Sequence, residues 1–133
     1  MTMRISAISK LFVQSLGFGS TGVSDWIVQR ISGVVIGLYT LFLAGYILLN
    51  PGMGYAQWSG LFDNVLMQLF TVFCLVAVCM HGWIGMWTIG TDYLRPHTAG
   101  KNADFLRRIY QLGTLAMLAA YLCWGVWILW GGR

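Results

Sequence analysis

The residue with the clearest chemical potential is a histidine inside a long apolar run. His81 stands in the segment MHGWIGMWTIGTDYLRP, residues 80–96, about 16 Å along a helix axis from Asp92. An ionisable side chain inside a bilayer is costly and is a functional candidate, with a neutral histidine bonded to a neighbouring helix as the structural alternative. A neutral imidazole nitrogen also binds haem iron, and Gly82 and Gly85 would leave room for a porphyrin edge.

His81 shares one side of its helix with other small or polar residues. At about 100° per residue, Gly85, Thr88 and Asp92 fall within roughly 40° of His81. A proton relay needs a chain of titratable groups, and only Asp92 lies near this stripe. A haem with two histidine ligands needs a second histidine at the same depth, but the other one, His97, lies beyond the apolar run. Haem binding therefore predicts a partner membrane chain.

Three polar residues lie at the ends of apolar runs. The Tyr93 ring suits a membrane interface, and its hydroxyl is also able to donate to a quinone carbonyl, where negative charge develops on reduction. Asp92 would orient that site or pass protons, or it would only solvate a helix end. Arg30 would hold a haem propionate as a charge-assisted pair, or it would only influence topology.

Composition predicts an integral membrane protein. Of 133 residues, 58% are hydrophobic and 9% are charged, whereas about a quarter of a soluble domain is charged. Basic residues are not interleaved with aromatic ones in a polar segment, so no nucleic-acid binding is expected. Cys74, Cys79 and Cys123 all lie in apolar runs, which predicts core residues rather than disulfides or a zinc site.

Three apolar runs approach the roughly 20 residues that a spanning helix needs. The predicted fold is one all-α integral membrane domain, residues 1–133, with an N-terminal cytoplasmic segment 1–29 and spans at about 31–49, 65–90 and 109–130. Asn50-Pro51-Gly52 ends the first span, and Pro96 ends the second. Segment 1–29 lacks a signal-peptide cleavage pattern and is expected to be retained, with residues 6–18 as a helix at the membrane surface.

The distribution of basic residues predicts the orientation. Seven of the eight lie before span one or between spans two and three, and the eighth is Arg133. The positive-inside rule then places the N-terminus in the cytoplasm and the C-terminus on the opposite side. Because spans one and two are antiparallel, Arg30 shares a membrane face with Asp92 and Tyr93.

Stripes of small residues on spans one and three predict close helix packing. Those on span one include a GxxxG pair. The two stripes are Gly33, Gly37, Thr40 and Ala44, and Gly113, Ala116 and Ala120.

Two segments resemble the hydrophobic membrane-anchor subunit of succinate dehydrogenase (complex II), of the SdhD type. HGWIGMWTIGTDYLRP, residues 81–96, is similar to that family's H-x-W-I-G-M-W…T-D-Y-[VLI]-[KR]-P motif, and GVSDWIVQR, residues 22–30, to its lead into the first span. The length and the three-span layout match as well. Ser24 departs from an enterobacterial member, which has a histidine there, and is expected instead to cap the first helix ahead of Asp25.

The resemblance implies electron transfer from succinate to ubiquinone, within the tricarboxylic acid cycle. In that family two three-span anchors, of the SdhC and SdhD types, form a heterodimeric bundle that binds haem b. They hold an iron–sulfur subunit and a flavoprotein on the cytoplasmic face of the bacterial inner membrane. By position, His81 matches the haem ligand, Tyr93 the tyrosine that bonds ubiquinone, Asp92 its acidic neighbour, and Arg30 a basic residue near the propionates. The C-terminus is then periplasmic.

Other functions stay open on the sequence. The anchor of a quinol:fumarate reductase would use the same chemistry in the opposite direction. A cofactor-free membrane scaffold would need neither His81 nor Tyr93 for binding. A transporter is disfavoured, because it would need several charges within the membrane.

Overall fold

A computed structural model describes residues 22–131, in which three long helices are the principal elements. These are α1 (Gly22–Leu49), α3 (Val65–Tyr93) and α5 (Ala103–Trp130). Short helices α2 (Tyr55–Leu61) and α4 (Pro96–Ala99) and a 3₁₀ turn (Gly100–Asn102) lie in the connections. Three segments, Gly22–Leu49, Val65–Tyr93 and Pro96–Trp130, are long and apolar enough to cross a membrane. The prediction of an all-helical chain with three candidate spans is confirmed.

The helix ends follow the turn-forming residues of the sequence. Helix α1 ends at Leu49, just before Pro51-Gly52, and Gly52 adopts a φ of +84° that a β-carbon would disfavour. Asn64 caps α3, because its side-chain oxygen accepts a hydrogen bond from the Leu66 N–H at 2.8 Å. Pro96 stands at the start of α4, where its missing N–H costs nothing.

Helix α1 begins earlier than its apolar run. Residues 22–29 were assigned to the N-terminal segment, but the helix already starts at Gly22. Ser24 therefore lies inside the first turn and is not the N-cap. Asp25 lies in the same turn, where its carboxylate interacts favourably with the helix dipole. Hydropathy marks the part of a helix that lies in lipid, whereas hydrogen bonding continues the helix into polar sequence. The helix expected at residues 6–18 lies outside the described residues.

Helix α3 is the centre of the bundle, because both α1 and α5 pack against it. The Tyr39 and Thr71 hydroxyls are 2.9 Å apart and join α1 to α3. At the same end of the bundle, the Trp130 indole N–H donates to the Gln68 side-chain oxygen at 3.1 Å and joins α5 to α3. These side-chain bonds fix the register of the three helices near the first loop.

The small-residue stripe of α1 packs against α3 at one residue only. A β-carbon at Gly33 would lie 3.4 Å from Cε1 of His81, whereas one at Gly37 would meet no atom within 4 Å. Thr40 and Ala44 are exposed. The predicted packing is therefore confirmed at Gly33, and the rest of the stripe is open in the isolated chain.

The small-residue stripe of α5 is not its contact with α3. A β-carbon at Gly113 would meet no atom within 4 Å, and Ala116 and Ala120 are exposed. Helix α5 instead comes close at Gly125, where a β-carbon would lie 2.7 Å from the Leu75 side chain. The predicted packing therefore does not involve another described helix of this chain, because periodicity identifies a small face without identifying the helix that faces it.

Most large apolar side chains on the long helices face outward. Leu48 and Leu49, for example, are 79% and 83% exposed, as expected for helices whose surroundings are lipid or another chain. Of the three cysteines, Cys74 is buried, Cys79 is half-buried and Cys123 is exposed. The prediction that all three are core residues is therefore wrong for Cys123.

Adding a side chain at Gly90 is expected to destabilise the bundle. A β-carbon there would lie 2.9 Å from Cε1 of Tyr110, and the Tyr110 hydroxyl donates to the sulfur of Met86 at 3.4 Å. We expect Gly90→Ala to lower the free energy of unfolding by about 1–3 kcal/mol, because the ring must shift within a packed interface. Gly113→Ala is the control. Equal thermal unfolding midpoints in mild detergent for the two variants would contradict the close packing.

Candidate functional site

A groove of about 910 Å³ opens between the first half of α1 and the second half of α3. The antiparallel packing of these helices brings the start of one beside the end of the other. Its polar lining comes from both helices, while glycines on each helix keep it open. The lining includes Asp25, Gln29, Arg30, Gly33, His81 and Gly85.

His81 lies on the side of the groove where α1 and α3 touch, and both of its ring nitrogens have partners on α1. Nδ1 is 3.2 Å from the backbone oxygen of Gln29 and 3.2 Å from the hydroxyl oxygen of Ser32. Nε2 is 3.3 Å from the side-chain nitrogen of Gln29. The ring is thus held by two residues of the neighbouring helix, one of which, Ser32, is buried.

Two buried oxygens in the groove lack a hydrogen-bond partner within residues 22–131. They are Oδ1 of Asp25 and Oε1 of Gln29. Buried polar atoms are nearly always paired, so unpaired acceptors beside a groove are sites where a donor from beyond the described residues would be favourable. The groove is therefore polar on its α1 side.

Arg30 lies in the same groove as His81, whereas topology alone had placed it at the membrane face of Asp92 and Tyr93. Its guanidinium carbon is 5.3 Å from the centre of the Trp26 ring, a cation–π distance, and the residue is exposed. The head group is therefore positioned by an aromatic neighbour, and it forms no ion pair with a carboxylate within residues 22–131. A positive charge placed this way remains available to an anionic group that enters the groove.

Asp92 and Tyr93 lie beyond the groove, at the end of α3. Asp92 forms an exposed ion pair with Arg95 at 2.9 Å, a type of contact that contributes little to stability. Tyr93 is 71% exposed. The preceding residues Thr88 and Ile89 do line the groove. The structure thus brings Arg30 and His81 together and leaves the Asp92-Tyr93 pair about one turn further along.

Three residues of the site were not identified from the sequence. Asp25, Gln29 and Ser32 occupy one face of α1, at spacings of four and three. That spacing is visible in the sequence, but only the register of α1 against α3 shows that the face meets His81. From the sequence alone, Gln29 and Ser32 would be interpreted as polar residues at the membrane interface, because both lie near the start of a span.

The fold and site define a class of protein, a small multi-pass membrane subunit whose polar residues gather between two helices at one end of a three-helix bundle. The chain belongs to the succinate dehydrogenase/fumarate reductase transmembrane subunit family, which matches residues 9–122. It is similar to the succinate dehydrogenase hydrophobic membrane anchor subunit of Coxiella burnetii, at 36% identity over 112 residues, covering 84% of this chain and 91% of that protein. The resemblance inferred from residues 22–30 and 81–96 is confirmed. The chain is a membrane-anchor subunit of a succinate dehydrogenase/fumarate reductase complex, and that role implies catalytic subunits as partners.

Proposed function

We propose that this chain anchors a succinate:ubiquinone oxidoreductase, contributes one axial ligand of haem b through His81, and forms one wall of the ubiquinone site. The observation that carries the proposal is the placement of His81 in a groove that it shares with Arg30 and three glycines. An intramembrane histidine beside open space and a cation is well suited to a dianionic metalloporphyrin.

The residues around His81 suit haem. A histidine ligand usually donates its second ring N–H to a carbonyl or a carboxylate, and Nδ1 of His81 has the Gln29 backbone oxygen at 3.2 Å. Gly33 and Gly85 leave the groove open, and its volume of about 910 Å³ falls in the range of about 300–1,000 Å³ typical of cofactor sites. Arg30 would pair with a propionate. Haem would supply one-electron redox chemistry at this position.

The second ligand would come from another chain. The only other histidine, His97, belongs to the short helix α4 and not to a span. We therefore propose a second three-span anchor, of the SdhC type, that covers the groove and supplies the opposing histidine. The exposed apolar surface of α1, including Ile31 and Val34, offers contact area to such a partner.

Tyr93 is proposed as the ubiquinone contact. Its hydroxyl would donate a hydrogen bond to a quinone carbonyl and stabilise the negative charge that develops on that oxygen. Asp92, held by Arg95 at 2.9 Å, would lie beside this position on a path for protons from solvent. The exposure of Tyr93 in the isolated chain supports a role at an interface with a partner subunit and a ligand.

The catalytic subunits would dock on the side that carries the basic connections. Residues 95–108 hold four of the eight basic residues, and they follow directly on Tyr93. The positive-inside rule places this face in the cytoplasm of a bacterial inner membrane and the C-terminus in the periplasm. An iron–sulfur subunit on this face, with a flavoprotein behind it, would deliver electrons beside Tyr93.

Co-expression tests the proposal. The chain is expressed with and without the second anchor and the two catalytic subunits, and is purified in mild detergent. We expect a b-type reduced-minus-oxidised spectrum only when both anchors are present. A purified complex with neither haem nor quinone would favour a scaffold. Faster fumarate reduction than succinate oxidation would favour the fumarate reductase anchor.

A further inference from the structure

Gln29 contacts both ring nitrogens of His81, through two different parts of the residue. Its backbone oxygen is 3.2 Å from Nδ1, and its side-chain nitrogen is 3.3 Å from Nε2. The Ser32 hydroxyl donates to the same backbone oxygen at 3.1 Å, and its oxygen lies 3.2 Å from Nδ1. Gln29 thus contacts both nitrogens of the imidazole, and Ser32 makes a second contact at Nδ1.

These contacts determine which nitrogen carries the proton in a neutral ring. A backbone carbonyl oxygen only accepts hydrogen bonds, so Nδ1 of His81 must donate to Gln29. The Ser32 hydroxyl hydrogen points to the same carbonyl, which leaves its oxygen as a second acceptor for Nδ1. Nε2 then has a lone pair and accepts from the Gln29 amide. An N–H on Nδ1 and a lone pair on Nε2 is the tautomer that ligates a metal through Nε2.

The Gln29 side chain gives Nε2 a hydrogen-bond donor but leaves its own oxygen unpaired within residues 22–131. With its nitrogen directed at His81, its oxygen Oε1 is buried and lacks a partner among the described residues. Turning the amide over would bring two acceptors together at Nε2, which is less favourable. The side chain also has space beside it, because the neighbouring position on α3 is Gly85, where a β-carbon would be 3.6 Å from the Gln29 amide nitrogen.

We propose that Gln29 and Ser32 are positioning residues that hold His81 in the tautomer with a free Nε2, and that the Gln29 side chain caps Nε2 until a metal displaces it. The inference rests on the proposed haem site. Without metal, the hydrogen bond from the Gln29 side chain avoids the energetic cost of leaving Nε2 unpaired within the membrane. With metal, the carboxamide rotates away and its buried oxygen is freed to find a donor, while the bonds at Nδ1 remain.

Haem uptake tests the cap. Gln29→Leu keeps the backbone carbonyl and the approximate size of the side chain, but it cannot donate to Nε2. Complex purified from haem-starved cells is mixed with haem, and the growth of the b-type absorbance is followed. We expect uptake by Gln29→Leu to be about fivefold faster than by wild type, the equivalent of one net hydrogen bond. Gln29→Met is the second variant should the leucine prevent assembly, and Gln111→Leu on α5 is the matched control.

The tautomer is tested without haem. In the haem-free complex with ¹⁵N-labelled histidine in this chain, ring-nitrogen NMR shifts distinguish a protonated Nδ1 from a protonated Nε2, and His97→Ala removes the only other signal of the chain. We expect His81 to carry its proton on Nδ1. A proton on Nε2, or equal uptake by Gln29→Leu and wild type, would overturn this inference alone. No haem uptake by any variant, wild type included, would overturn the haem site and this inference together.

Discussion

Replacing His81 with alanine is expected to remove the b-type haem spectrum of the assembled complex, with a fall in bound haem of about tenfold or more. Loss of a partner that merely orients a metal ligand already costs about 10–100-fold in affinity, and this change removes the ligand itself. The variant also leaves the side-chain nitrogen of Gln29 without its partner in the groove, whereas the Ser32 hydroxyl keeps its hydrogen bond to the Gln29 backbone oxygen. The measurement is haem per complex by pyridine haemochrome assay, with the reduced-minus-oxidised spectrum beside it.

The second histidine of the chain provides the control for this experiment. His97 is exposed in the short helix α4, away from the groove, so His97→Ala should retain the haem content of wild type. Recovery of both variants with the catalytic subunits separates loss of haem from loss of assembly. An unchanged b-type signal in His81→Ala would overturn the ligand assignment and leave His81 as a half-buried packing residue between α1 and α3.

The general architecture was predictable from local features of the sequence. Apolar runs of sufficient length predict spans wherever lipid is the solvent, and residues such as Asn50-Pro51-Gly52 and Pro96 end helices for reasons contained in their own backbone. These inferences need only the order and length of the elements. The placement of Arg30 beside His81 was not predicted from topology, because antiparallel spans by themselves place the start of α1 beside the end of α3, where Asp92 and Tyr93 lie.

Side-chain contacts between helices were less predictable, because they depend on rotation and register. The partners of His81, namely Gln29 and Ser32, lie on an α1 face that periodicity describes but does not assign to a neighbour. The same limitation explains why the stripe at Gly113 and Ala116 predicts close packing without identifying the helix that it meets. A membrane helix has apolar surroundings on every side, so hydrophobicity does not mark which face meets another helix of the chain.

The proposed quinone position and the His81 groove differ in how far this chain alone forms each site. His81 has neighbours on α1 that hold its ring, so its placement is a property of this chain. Asp92 and Tyr93 sit past the last helical turn that lines the groove, and Tyr93 is 71% exposed. A site at Tyr93 would be completed by a partner subunit, so its binding strength should depend on assembly more steeply than haem ligation does.

Removing only the hydroxyl of Tyr93 is expected to slow ubiquinone reduction by roughly 10- to 100-fold, the effect of losing a hydrogen bond to a charged oxygen. Tyr93→Phe keeps the ring that suits the membrane interface, so assembly should be unaffected. Succinate oxidation with an artificial acceptor that takes electrons upstream of the quinone should continue at the wild-type rate. The experiment therefore compares two activities of one preparation, and a defect confined to quinone reduction identifies the step.

Tyr55→Phe is the matched control for this variant. Tyr55 is also an exposed tyrosine at a helix end, 82% exposed at the start of α2, but it lies at the opposite end of the bundle. A general effect of losing an interfacial hydroxyl would slow both variants, whereas a hydrogen bond to the quinone would slow Tyr93→Phe alone. Unchanged quinone reduction in Tyr93→Phe would remove the proposed contact and leave the tyrosine as an interfacial anchor. Because haem ligation and the quinone contact lie on different residues of α3, the b-type spectrum of Tyr93→Phe should match wild type in either case.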